Sequence, residues 1–306
     1  MSPPTSESSA SGPDSYAGPD DLDEAERAAL EELLFRLADD EYVAAERYVE
    51  WQIFAPTLES DLALANIAQD EYGHARLWYD LLQEFGYREA DLLWERDPAD
   101  FQHATLVEQP FVEGDWADAV VRSYLYDTAE SLRLEALTDT SYEPLADRVP
   151  KAIDEESYHR EHAQSWLERL TVGTDDTESA ESADGVEAGE DAPDRTAHRK
   201  VQAALDRLFP HALTIFEPGE YADDIVAFGF QTETLGEMRD QWLDTTIPYL
   251  ESLGLTVPDP ADADRLAARG RDGSHTDAWF DLHADFTATY HELDFDRPTR
   301  LRGEEA

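Results

Sequence analysis

The 306-residue sequence has no cysteine, two methionines and two lysines, Lys151 and Lys200. Without cysteine there can be no disulfide, no thiol nucleophile, no zinc finger and no iron–sulfur ligation, so any bound metal must be held by oxygen and imidazole nitrogen. No apolar run reaches the roughly 18 residues of a membrane span. The amino-terminal stretch MSPPTSESSASGPDSYAGPDD has neither the basic nor the apolar segment of a signal peptide, and a cytoplasmic location is expected. Basic residues are scarce, 23 against 71 acidic, for a net charge of −48. Such a balance repels nucleic acid and anionic membranes, which are therefore not expected as partners. It suits a protein kept soluble in a high-salt cytoplasm, where screening weakens self-repulsion. Most of the acid is expected to face solvent, so a functional carboxylate has to be argued from its position.

What the sequence does contain is helical periodicity. Apolar spacing predicts helices over residues 22–52, 58–86, 114–139, 143–171, 196–216, 234–253 and 277–292, with Pro and Gly between them and no run of period two. Residues 1–21 read as a disordered acidic arm, 173–196 as a disordered acidic loop inserted into a helical body spanning 22–295, and 296–306 as a tail. The first four long helices form two similar pairs separated by a longer crossover near residues 87–113. This is the layout of an all-α four-helix bundle with additional C-terminal helices.

Two Glu-x-x-His motifs fall in the second and fourth helices, Glu71-Tyr72-Gly73-His74 and Glu156-Ser157-Tyr158-His159. Residues at i and i+3 share a helix face, so each motif can offer a carboxylate oxygen and an imidazole nitrogen to one ion. Alone the motif is weak, because nine histidines in so acidic a chain should meet about one such Glu by chance. The spacing adds specificity: Glu41 lies thirty residues before Glu71 and Asp127 twenty-nine before Glu156. One acid from each of two helices and a Glu-x-x-His from each of the other two is the ferritin-like di-metal carboxylate pattern.

Helical phase supports the same set. Leu30, Leu34, Leu37, Ala45 and Tyr48 surround Glu41 in one apolar stripe. Leu64, Ile67, Trp78 and Leu81 flank Glu71 and His74; Trp116, Val120, Tyr124, Leu134 and Leu137 flank Asp127; Ile153, Ala163, Trp166 and Leu170 flank Glu156 and His159. Four carboxylates converging on an apolar core with few cations cost several kcal/mol unless protonated or neutralised, and two divalent ions would balance them. Glu41, Glu71, His74, Asp127, Glu156 and His159 are the candidate metal ligands. Glu130, close to Asp127 on the third helix, is a possible alternate. Glu46, Asp70, Glu155, Glu161 and His162 are expected behind the ligands or at the surface, Asp70 being placed to orient an imidazole across the bundle. His103, His198, His211, His275, His283 and His291 have no comparable pattern and are read as structural or exposed. Tyr42, Tyr48, Trp51, Trp78 and Tyr79 could pack in the core or anchor an interface with another chain.

At these motifs the sequence resembles the phenylacetyl-CoA 1,2-epoxidase family, multicomponent oxygenases of aerobic phenylacetate breakdown, over about residues 28–295. That family pairs a catalytic di-iron A-type subunit with a homologous C-type subunit usually described as structural. Four segments are similar to the catalytic member of the pair: APTL from Ala55 to Leu58, QDEYGH from Gln69 to His74, EESYH from Glu155 to His159 and LGLTVPDP from Leu253 to Pro260. Four others are similar to the C-type member: LALANIA from Leu62 to Ala68, LVEQP from Leu106 to Pro110, VQAALDRLFP from Val201 to Pro210 and GSHTD from Gly273 to Asp277. The overall layout is C-type, yet the ligand positions that have decayed in familiar C-type chains are retained. One departure is Ile67, where the catalytic chain has a lysine.

The resemblance implies two iron ions, with manganese as an alternative, and epoxidation of the ring of phenylacetyl-CoA with O2. It also implies two partners, a homologous A-type oxygenase subunit, and a flavin and iron–sulfur reductase. A second expectation is a non-catalytic scaffold for a separate catalytic partner, with a residual metal site. Iron storage of the ferritin type would leave the helices after residue 196 without a role.

Overall fold

The computed structural model describes residues 15–111, 116–172 and 195–292, and among these no strand forms beyond an isolated bridge between Tyr16 and Tyr142. The long helices are α1 (Glu24–Trp51), α2 (Leu58–Glu84), α3 (Trp116–Leu137), α4 (Val149–Val172), α5 (Arg195–Ala212), α6 (Leu235–Ser252) and α7 (Asp277–Glu292). Their starts follow local chemistry. Asp23 caps α1 in a reciprocal box with Glu26, Thr57 caps α2 through the Ser60 amide, and Thr234 and Glu237 form a second box at α6. Gly86, at φ 102°, turns the chain out of α2 in a conformation that a side chain would oppose.

The helix expected over 143–171 is two pieces, a turn at Glu143–Ala146 and then α4. Pro150 has no N–H for the Ala146 carbonyl, so one continuous ladder cannot form across this point. The arm expected over 1–21 does not extend to residue 21. Tyr16 is buried, its N–H donates to Ser141 O (2.8 Å), and its carbonyl accepts from Glu143 N (2.9 Å). Residues 1–14, the loop expected over 173–196 apart from its last two residues, and the tail at 296–306 lie outside the described residues.

α1 packs along α2 and α3 along α4, and α2 meets α4 across the bundle. Cross-bundle contacts pair residue 70 with 159 and 74 with 155, so one index falls as the other rises and α2 and α4 run antiparallel. The C-terminal helices have a packing role. α5 and α6 cover the outer side of α3, where Trp242 Nε1 donates to Leu125 O (3.1 Å), and this is why α3 is buried on nearly every side. Tyr42, Tyr48, Trp51, Trp78 and Tyr79 are all buried in the core.

The crossover holds a short helix, Thr105–Glu108, and is fastened to α1 by two buried acids. Asp39 accepts from both Arg96 guanidinium nitrogens (2.7 and 2.8 Å), Tyr79 Oη (2.7 Å) and Gln102 N (2.7 Å). Asp40 accepts from Ala104 N (2.7 Å), Arg133 (2.6 Å) and Arg271 (2.7 Å). Each charge is matched, as burial requires.

Candidate metal centre

Glu41, Glu71, His74, Asp127, Glu156 and His159 sit at one level of the bundle, and none is more than 1% exposed. Their donor atoms fall into two groups, Glu41–Glu71–His74–Glu156 and Glu71–Asp127–His159, with the atoms of each group within 4.8 Å of one another. Glu71 belongs to both. Glu156 Oε1 lies between the two imidazoles, 3.5 Å from His74 Nδ1 and 3.2 Å from His159 Nδ1. Glu71 Oε1 is 3.5 Å from His159 Nδ1, and Glu41 Oε1 is 3.9 Å from His74 Nδ1. The arrangement has a terminal carboxylate and imidazole at each end and two shared carboxylates between them.

The rings are held from outside. His74 Nε2 donates to Glu155 Oε2 (2.8 Å) and His159 lies 3.4 Å from Asp70 Oδ2 through its own Nε2, so the residue preceding each motif glutamate meets the histidine of the opposite helix. With Nε2 engaged by a carboxylate, Nδ1 faces the interior, which is how metal-binding imidazoles are commonly oriented. Asp70, Glu155 and Ser123 thus flank the ligands; Ser123 Oγ donates to Asp127 Oδ2 (2.6 Å). Sequence reasoning did not select Ser123, although its place one turn before Asp127 on the same face was a usable signal.

The inward atoms have no hydrogen-bond partner. Both oxygens of Glu41, Glu71 and Glu156, Asp127 Oδ1, and Nδ1 of both histidines are buried and unmatched. Their electrostatics follow. Burial and the nearby Glu71 carboxylate push Glu41 well above the usual carboxylate range, and burial and Glu156 do the same to Asp127. Burial works against a charge on Glu156, but His159 and His74 outweigh it and hold it at about 2. Burial lowers both histidines, and the surrounding carboxylates more than reverse this, to about 9 for His74 and about 12 for His159. A polyanionic core that must borrow protons is a fit receptor for cations, and its oxygen and imidazole donors suit divalent first-row metals.

Glu130 is also buried, but Arg133 Nη1 stands 2.9 Å from its Oε2 and draws it toward Asp40, and it belongs to neither converging group. Burial raises Glu130 to about 7, against the pull of Arg133. Glu161 and His162 lie away from the cluster in an open surface groove of about 920 Å³ on α4.

The phenylacetic acid catabolic protein family matches residues 14–187 and 192–294. The chain belongs to this family. Among curated relatives, the C-type subunit of the 1,2-phenylacetyl-CoA epoxidase of Escherichia coli (strain K12) is 30% identical over 244 residues, covering 79% of this chain and 88% of that protein. The A-type subunit of the same enzyme is 27% identical over 214 residues, 69% of this chain and 62% of the relative's length. The similarity to the C-type relative therefore spans more of this chain and more of the relative. The ferritin-like helical architecture is that of this family, and no helix among the described residues is long and apolar enough to cross a membrane.

A second buried His–Glu group in this family member lies at the crossover. Glu108 Oε2 accepts from His103 Nε2 (2.8 Å) and His275 Nδ1 (2.8 Å), and Oε1 accepts from Thr276 N (2.8 Å). His275 Nε2 donates to Phe101 O (2.9 Å). The two rings stack at 4.3 Å between centroids and 24° between planes. A nitrogen of each ring meets the one Glu108 oxygen and satisfies it as a hydrogen-bond donor, so this group fits a hydrogen-bonded clamp.

Proposed function

We propose that the chain is a C-type component of a phenylacetyl-CoA 1,2-epoxidase-like oxygenase that retains a metal-binding core of its own. Glu41 and His74 would hold one iron ion, Asp127 and His159 the other, and Glu71 and Glu156 would lie between the two. The supporting observation is the set of buried donors on four helices that have no hydrogen-bond partner among the described residues. Ferrous iron bound there would supply the O2 chemistry by which one oxygen atom is added across the 1,2 bond of the aromatic ring of a CoA thioester.

The chain's own residues have separate tasks. Glu155 and Asp70 keep each imidazole turned with Nδ1 inward, Ser123 orients Asp127, and Arg133 holds Glu130 back from the pair. The apolar stripes around the ligands exclude water, which strengthens every charge interaction inside. The proposed partners are a homologous A-type oxygenase chain and a flavin and iron–sulfur reductase, in the cytoplasm, with phenylacetyl-CoA as substrate. The wider similarity to the C-type relative supports a second reading, a scaffold for a separate catalytic partner with a residual metal site.

One preparation separates these readings. The chain is expressed alone, loaded anaerobically with ferrous iron, and assayed for bound iron and for turnover of phenylacetyl-CoA with reductase, with and without an A-type partner. About two irons per chain and turnover without the A-type partner fit a competent oxygenase component. Iron without independent turnover fits the scaffold with a residual site, and absence of iron after loading rejects the metal reading.

A further inference from the structure

A row of indoles runs from the bundle core to the open groove on α4. The rings of Trp51 and Trp116 stack at 6.0 Å between centroids and 24° between planes, and Trp116 meets Trp166 edge to face at 5.3 Å. Trp51 and Trp116 are buried, whereas Trp166 lines the groove, with the Arg169 guanidinium 5.0 Å over its ring. Tyr48 extends the row inward. It stands one turn before Trp51 on α1 and two turns after Glu41 on the same face, and it is wholly buried. Burial and then the carboxylates of Asp127 and Glu71 push its phenol well above the usual range, so it keeps its proton.

The Tyr48 hydroxyl and Trp116 Nε1 have no hydrogen-bond partner among the described residues. A phenylalanine at residue 48 would fill the same space without stranding a hydroxyl, which costs roughly 1–3 kcal/mol. Packing alone therefore does not account for the phenol. Indole and phenol rings can be oxidised by one electron and pass it to a ring in contact; a phenyl ring resists this. A second aromatic run, through Tyr72, Tyr42, Phe286 and Trp94, is interrupted by Phe286.

We propose that Tyr48, Trp51, Trp116 and Trp166 form a one-electron conduit between the metal centre and the α4 groove, through which a core oxidised without substrate is reduced from the surface. This rests on the reading of the core as an O2-activating iron site. Tyr48 gives one electron to the oxidised core and its O–H proton to a core carboxylate. It recovers the electron from Trp51 and the proton from that carboxylate; Trp51 is refilled by Trp116, and Trp116 by Trp166. The indole cation left at the surface takes an electron from a thiol donor, two thiols yielding one disulfide, two protons and two electrons.

The chain has no cysteine, so Ser165→Cys, exposed in the groove beside Trp166, gives the full chain a single attachment point for a ruthenium photo-oxidant. Tyr158→Phe is included to remove the phenol of the groove itself. After a flash, transient absorption should show an indole radical decaying into a tyrosyl radical. Tyr48→Phe should abolish the tyrosyl signal, and Trp116→Phe should leave the radical on an indole; Trp51→Phe does the same if Trp116→Phe fails to fold. No tyrosyl radical, or an undiminished one in Tyr48→Phe, overturns the proposal. The flash needs no iron, so failure to load metal rejects the iron reading while the conduit is still decided. In the iron-loaded chain exposed to O2 without substrate, peptide mass spectrometry should find oxidised Trp166, lost in Trp116→Phe. Oxidation confined to the ligands and Tyr48 would also overturn the proposal.

Discussion

Among the described residues two groups of histidine and glutamate are buried, and they differ in what their polar atoms face. Around Glu108, both carboxylate oxygens and both nitrogens of His275 are hydrogen-bonded within the protein. Around Glu71, the corresponding atoms converge without hydrogen-bond partners in the protein. Residue type and burial are alike in the two groups, and neither distinguishes a clamp from a receptor. Satisfaction of the carboxylate oxygens does. The Glu108 clamp ties the crossover to the segment before α7, and Arg47 adds hydrogen bonds to the Glu108 carbonyl (2.8 and 3.1 Å) and to Ala278 O (2.7 Å).

The sharpest break of this comparison is Glu71→Ala, which removes a donor common to both halves. Bound iron should fall from about two per chain to near zero, read by metal analysis after anaerobic loading. The metal-free variant should remain folded, since one of several repelling carboxylates is gone. Asp127→Asn should remove the second ion alone, whereas Glu130→Gln should keep both, because Glu130 is held by Arg133.

Acidity comes next in size. His74 and His159, raised to about 9 and about 12, hold protons at neutral pH that a cation must displace, and burial shifts Glu41 and Asp127 toward their protonated forms as well. Affinity should therefore rise with pH, by about tenfold per unit for each proton released. Calorimetry of metal binding in buffers of different ionisation heat counts those protons; a buffer-independent heat would contradict the account.

Glu108→Ala sharpens the comparison from the other side. Breaking this buried network should lower folding stability by about 3 kcal/mol, measured by denaturant unfolding, and leave the iron count unchanged. Ser123→Ala has the smallest expected effect. It deletes one hydrogen bond to Asp127 and should weaken the second ion by about 1 kcal/mol, seen as a change of a few-fold in its dissociation constant.

Much of the fold is written in periodicity. The expected helices match α1 to α7 to within a few residues, save that the one expected from residue 143 is broken before Val149, because long amphipathic stripes and Pro or Gly boundaries are local signals. The carboxylate and histidine cluster was legible for a related reason: its six residues occupy apolar stripes at matched intervals. What periodicity did not disclose is long-range pairing. Asp39, Asp40 and Glu108 belong to the class of acids expected at the surface, and their burial depends on Arg96, Arg133, Arg271 and His275, between 57 and 231 residues away. The covering of α3 by α5 and α6 is likewise invisible in α3 itself, except as an apolar character extending beyond one stripe. Tyr16 was lost in a polar tract because one buried ring does not alter a composition.

The central claim is that the cluster around Glu71 and Glu156, and not the clamp at Glu108, receives metal. Crystals of the full chain loaded anaerobically with ferrous iron and measured at the iron absorption edge test it most directly. Two anomalous peaks are predicted between His74 Nδ1 and His159 Nδ1, flanked by Glu41 and Asp127, with none at His103 and His275. A cluster without iron, or iron bound at the clamp instead, would contradict it.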